Sequence, residues 1–292
     1  MRSFHEYNPI AVAMYFLAVT GTAMFFGHPA VTALTLFGAL VYYLVRNGTR
    51  DFKSHGFFLL LFIVMAGINP LLSHNGKTIL FVLNDSPITL EALLYGVNSA
   101  AMITAVVYWF RSFSQIMTSD KLLYLFGRIS PKLSLVLSIA LRFIPLFRSQ
   151  AKKVNDAQRT MGMYSEDNII DSVKGGARVF SVMVTWALEN GIITADSMEA
   201  RGCGIGKRTN YSSYKMEASD WSIIAVTLVL FAFGIAAAVM KKLEFNFYPE
   251  IKISMGGVWG AVSLSAYGIL TLLPVIIETE AGIRWKCLKS KI

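Results

Sequence analysis

The intervals between charged residues constrain this chain more than any other feature. Ionisable side chains are expensive at the centre of a bilayer, so a long charge-free run is a candidate crossing. Residues 7–45 form one such run of 39, broken only by the turn-like "GHP" at 27–29. As helix it measures about 58 Å, roughly two crossings of a ~30 Å hydrocarbon core. Residues 54–76, 92–110, 221–240 and 253–277 give further runs of 23, 19, 20 and 25. Each suffices for one crossing. The expectation is an all-α integral membrane protein with about six transmembrane helices. The first run follows a charged start, as in a signal peptide, but it continues too far for a typical apolar signal core.

Charge placement sets the expected orientation. The loop "RNGTRDFKSH" holds Arg46, Arg50 and Lys53, and the C-terminal tail holds Arg284, Lys286, Lys289 and Lys291. Basic loops stay on the cytoplasmic side. Six crossings with both termini inside satisfy that rule, in a multi-pass protein of the cell membrane. Lys241, Lys242 and Lys252 run against it, in a loop this topology puts outside. The net charge of +9 is therefore read as membrane flanking, and no nucleic-acid partner is expected. Charged residues make up only 15% of the chain, against about 25% in soluble domains.

The spans hold no charged residue away from their ends; their polar residues are mild, such as Asn98 and Thr104. Ion-driven carriers usually keep ionisable residues inside the membrane for their relays. A self-sufficient ion-coupled pump is thus disfavoured, while a stand-alone passive carrier or channel stays open. A membrane-embedded enzyme would need clustered acids, bases or metal ligands. The four histidines (His5, His28, His55, His74) are scattered, and Cys203 and Cys287 lack metal-ligand spacing. No catalytic residue, metal site or cofactor is expected.

The chain divides into residues 1–110 with four crossings, 111–220, and 221–292 with two crossings and a basic tail. The middle segment has 15 Lys plus Arg and 10 Asp plus Glu, too many to cross as a whole. Its greasiest part, "KLSLVLSIALRFIPLF" (132–147), carries Arg142 and Pro145. Arginine at a helix centre in the bilayer costs on the order of 2.5–3.5 kcal/mol, and proline removes a rung of the hydrogen-bond ladder. A helix at the cytoplasmic interface is expected, with Arg142 snorkelling or ion-paired. Leu133, Val136, Leu137, Leu141 and Ile144 would supply its apolar side. A second amphipathic unit spans 174–201, with Val179, Val182, Met183 and Trp186 at helical spacing. The polar "GMYSEDNIIDSVKGG" between them reads as a connector.

The second unit ends in "TADSMEARGCGIGKRT" (194–209). It is not a phosphate-binding loop. Counting back from Gly206-Lys207 puts Arg201 where the first glycine belongs, and Arg208 follows the lysine in place of serine or threonine. It does read as a helix end, with arginine in the last turn and glycine just beyond. "NDAQRTMGM" (155–163) gives the first helix a similar ending.

These endings, in order after "FHEYNP", "GHP" and "RFIP", resemble the transmembrane T component of energy-coupling-factor transporters, the EcfT/CbiQ family. The resemblance covers nearly the whole chain. It implies a non-catalytic scaffold joining a substrate-binding membrane subunit, the S component, to two ABC-type ATPase subunits, for uptake of a vitamin or of cobalt or nickel ions. In that family two A-R-G motifs at coupling-helix ends dock in grooves on the ATPases. The second is intact here as Ala200, Arg201 and Gly202. The first falls on Thr160, Met161 and Gly162, so Met161 replaces the family arginine, and Arg159 stands two positions earlier. Leu137, Leu141, Arg142, Val182 and Trp186 are the residues expected to pack the coupling helices. The implied mechanism is mechanical: closing of the ATPase pair moves the docking ends, and the helices pass that motion to the S component.

Overall fold

The computed structural model describes residues 3–48, 52–73, 76–83, 86–162, 169–206, 214–240, 243–248, 252–255 and 257–289. Nine α-helices run through them: α1 (Pro9–Phe25), α2 (Pro29–Asn47), α3 (Phe52–Leu72), α4 (Leu90–Ile116), α5 (Ser119–Ile129), α6 (Pro131–Thr160), α7 (Ile169–Ala200), α8 (Ala218–Val239) and α9 (Gly257–Lys289). The chain separates into two compact units, Met1–Thr118 with Tyr214–Ile292, and Ser119–Ser213.

The first unit is a bundle of α1–α4, α8 and α9. Proline opens α1 and α2 at the first helical position, where its missing N–H costs nothing. Asn8 Oδ1 accepts from Ile10 N, and His28 Nδ1 accepts from Ala30 N. The "GHP" turn thus breaks the 39-residue run into two helices, as expected from the sequence. Glycines let the helices approach closely, as is usual in membrane bundles. A Cβ on Gly38 would stand 2.8 Å from Thr271 Cβ on α9, and one on Gly96 would stand 2.9 Å from the Ala66 carbonyl on α3.

The core of this unit is aromatic. Trp109 of α4 stacks on Tyr42 of α2 and meets Tyr15 and Phe16 of α1 edge on. Phe4, from the segment before α1, is fully buried against Tyr15, Phe16 and Tyr42. That segment is fastened at two points. Ser3 Oγ donates to the Glu278 carboxylate, and Phe4 N donates to Glu278 Oε2. Asn8 N donates to Asp220 Oδ1 at 2.9 Å.

Two antiparallel hairpins depart from an all-helical chain. β1 (Ile79–Leu83) pairs with β2 (Ser86–Thr89), from Ile79 opposite Thr89 to Leu83 opposite Ser86. β3 (Leu243–Asn246) pairs with β4 (Lys252–Met255), from Leu243 opposite Met255 to Asn246 opposite Lys252. They lie between α3 and α4 and between α8 and α9, the second where the sequence suggests a loop. Phe247 and Tyr248 beside β3 pack on Tyr95 of α4. Lys241, Lys242 and His74 lie outside the described residues.

Among the described residues six helices are long and apolar enough to cross a membrane: α2, α3, α4, α6, α8 and α9. This set differs from the sequence expectation at two places. At 17 residues, α1 falls below the length of the others, though about 17 is the lower limit for spanning. Conversely, α6 qualifies by length and composition, but none of its most apolar window is buried. Its second half is polar, from Arg148 to Arg159.

The second unit holds α5, α6 and α7. Pro145 does not break α6, which continues from Pro131 to Thr160. The connector is shorter than expected, because α7 begins at Ile169 and takes Gly175 and Gly176 into its second turn.

Candidate functional site

The two singled-out motifs sit at the C-termini of the longest helices of the second unit. Both ends are built around a left-handed glycine, with φ of +66° at Gly162 and +75° at Gly202. Only glycine takes that conformation cheaply. At the second end Gly202 N donates to the Glu199 carbonyl and Cys203 N to the Met198 carbonyl. Together these bonds make a full Schellman cap, which satisfies carbonyls the helix leaves open. At the first end Gly162 N donates to the Arg159 carbonyl and Met161 N to the Ala157 carbonyl. The next residue, Met163, lies outside the described residues, as do Lys207 and Arg208 beyond the second cap.

The caps decide which side chains face outward. Ala200 and Arg201 are exposed, and Gly202 is partly covered. The Arg201 guanidinium has no hydrogen-bond or ion-pair partner among the described residues. Ile205, just past the cap, is 88% exposed. At the first end Thr160, Gly162 and Arg159 are exposed, and Met161 is 70% exposed. The Thr160 hydroxyl donates back to the Asp156 carbonyl and so is turned to its own helix. One end therefore presents a cation beside an isoleucine, the other a thioether.

Trp186 of α7 meets Phe147 of α6 edge to face, with ring centroids 5.4 Å apart. Phe147 in turn stacks on Phe143, one helical turn earlier. Phe147 was not singled out in the sequence, although Phe143 and Phe147 at i and i+4 lie on one helix face. Leu137 and Leu141 are half-buried on α6. Arg142 is exposed, and Val182 is 45% exposed, so neither is enclosed by its neighbours. Much of the apolar surface of both helices is open: Val136 and Ile144 on α6, Phe180, Leu188 and Ile192 on α7.

Among the described residues no three His, Cys, Asp or Glu side chains gather as metal ligands. Both cysteines are exposed thiols. His55 Nδ1 pairs with the Tyr108 hydroxyl, and His5 Nδ1 with the Ser3 hydroxyl.

Comparison with known proteins bears on most of the chain. Residues 5–211 match the model of the CbiQ family, described as cobalt transport protein. The energy-coupling factor transporter transmembrane protein EcfT of Staphylococcus aureus is 28% identical over 252 residues, covering 78% of this chain and 91% of that protein. The EcfT of Bacillus selenitireducens is 27% identical over 226 residues, covering 73% and 81%. The EcfT of Lacticaseibacillus paracasei is 35% identical over a shorter stretch of 101 residues, which spans 34% of this chain and 38% of that protein.

Proposed function

The chain belongs to the CbiQ family, the membrane T components of energy-coupling-factor transporters, and from that premise we propose that it couples two ABC-type ATPase subunits to a substrate-binding S component. The reading rests on one observation above all. Two long helices, joined by the Phe147–Trp186 contact, each end in a left-handed glycine that leaves residue 161 or 201 outward. A capped end keeps the carbonyls of its last turn hydrogen-bonded, so in this reading the motion of a docked partner is passed to the helix.

In this reading Ala200, Arg201 and Gly202 seat in one ATPase. The small residue and the glycine allow close approach, and the guanidinium offers a fork to an acidic group. Thr160, Met161 and Gly162 seat in the other, where the contact is apolar and Arg159 flanks it. ATP hydrolysis belongs to the partners. Closing of the ATPase pair shifts the two ends relative to each other, and α6 and α7 carry that shift to the S component. The open apolar faces of α6 and α7 support a membrane partner there. Both termini and the coupling helices face the cytoplasm, and the cargo is a vitamin or a cobalt or nickel ion.

The test is affinity purification of the tagged chain from its native membranes, with bound proteins identified by peptide mass. Two ATPase chains and a small membrane protein are expected. Cargo uptake into liposomes by the purified chain alone would instead establish a stand-alone carrier or channel.

A further inference from the structure

A cleft of about 530 Å³ opens where the start of α3 meets the end of α4, lined by Ser54, Phe57, Phe58, Val107, Phe110, Arg111 and Ser114. Its chemistry changes along its length. At the helix ends lie one cation and two hydroxyls, and Arg111 Nη2 donates to Ser54 Oγ at 3.3 Å. Further into the bundle lie three phenylalanines and a valine. Phe57 and Phe110 are more than half exposed, while Phe58 is buried and packs on Tyr108 with ring centroids 4.3 Å apart.

Each half implies part of a ligand. Arg111 has no carboxylate partner among the described residues. It sits one residue beyond the charge-free run 92–110, so a crossing by that run would bring it to the edge of the hydrocarbon. A guanidinium with adjoining hydroxyls fits the oxygens of a phosphate. Exposed aromatic rings just inside that level fit acyl chains. Basic pockets between membrane helices are known to hold anionic head groups.

We propose that this cleft binds one anionic phospholipid, its phosphate held by Arg111, Ser54 and Ser114 and its chains laid against Phe57, Val107 and Phe110. The site is separate from the docking ends and stands or falls without them. Its role is to fix the α3–α4 end of the bundle to the bilayer surface.

The experiment uses the full chain in nanodiscs of equal phosphatidylglycerol and phosphatidylcholine, extracted gently and weighed by native mass spectrometry. The expected result is one retained phosphatidylglycerol, enriched about fivefold over phosphatidylcholine, the factor one interfacial arginine is worth near an anionic surface. Arg111→Gln returns the ratio to that of the nanodisc. Arg284→Gln leaves it unchanged, because Arg284 is paired with Glu280 at 2.6 Å on α9. If Arg111→Gln fails to fold, Ser114→Trp decides, since it fills the cleft with the cation in place, and it too abolishes the enrichment. Millimolar glycerol phosphate does not displace the lipid. Absence of enrichment in the unaltered chain, full retention in either cleft variant, or displacement by glycerol phosphate overturns the proposal. Absence of enrichment would leave the cleft to a partner helix.

Discussion

Phe147 and Trp186 meet with their ring planes 70° apart, an edge-to-face contact between α6 and α7. Such pairs contribute about 0.5–1.5 kcal/mol beyond the area they bury. The contact is small in energy and is removed by one substitution. Trp186→Ala is expected to lower cargo uptake several-fold while ATPase subunits still co-purify. Trp186→Phe keeps a ring and retains most of the uptake. The measurement is the ratio of cargo moved to ATP hydrolysed, and an unchanged ratio in Trp186→Ala would remove this contact from the coupling route.

Arg201 and Met161 occupy equivalent positions on the two helix ends but offer opposite chemistry. Removing one member of a buried, hydrogen-bonded charge pair typically costs roughly 2–5 kcal/mol. Loss of a methionine from an apolar contact costs less when the pocket can close. Arg201→Ala is therefore expected to weaken ATPase co-purification and uptake more than Met161→Ala. Met161→Arg restores the family pattern and is expected to be tolerated. Wild-type behaviour of Arg201→Ala in both assays would sink the assignment of that end.

Much of this arrangement was legible in the chain, for identifiable reasons. Charge-free runs found α3, α4, α8 and α9 because the bilayer excludes charge whatever the neighbours are. The helices run on beyond those charge-free limits. α4 continues past Arg111 to Ile116, and α9 passes Pro274 and Glu278 to Lys289, since charge is tolerated once a helix reaches water. The hairpins leave no mark in a count of charges; in "ILFVLNDSPIT" the signal lies in the turn residues. Gly162 and Gly202 were readable as caps because capping is local. The partners of Phe4 were not readable, because Tyr42, Trp109 and Glu278 come from distant turns of the chain. Periodicity marked an apolar stripe on α7, but it could not tell that Trp186 turns to α6 while Val182 stays open.

Gly202 and Gly191 should respond oppositely to the same substitution. Gly202 stands at φ +75°, where an L-residue costs about 1–2 kcal/mol. An added Cβ there meets only Ile205 Cδ1 at 3.5 Å, an ordinary contact, so the cost is in the backbone. Gly191 lies within α7 with nothing within 4 Å, and alanine there should stabilise by roughly 0.5–1 kcal/mol. Gly202→Ala is expected to lower the melting temperature of the purified chain and to weaken ATPase co-purification. Gly191→Ala is expected to raise it and leave co-purification intact. Thermal unfolding in detergent separates the two, and a neutral Gly202→Ala would contradict the left-handed cap.

Asp220 offers a test of how the bundle is closed. Its side chain is fully buried, yet it accepts Asn8 N through Oδ1 and Glu217 N through Oδ2, both at 2.9 Å. The carboxylate thus ties the residue before α1 to the start of α8. Asp220→Ala would take this acceptor away from both N–H groups, at about 1–3 kcal/mol for each bond whose donor stays dry. Asp220→Asn keeps one oxygen and so one of the two bonds. Stability is expected to fall in the order wild type, Asn, Ala, with the N-terminal segment becoming the first site of protease cleavage in the alanine variant. The order is specific to a bridging acceptor: a side chain that merely filled space would tolerate Asn as well as Asp. Equal melting temperatures for wild type and Asp220→Asn, with N-terminal cleavage no faster in Asp220→Ala, would show that the segment is held by Glu278 and the burial of Phe4 without Asp220.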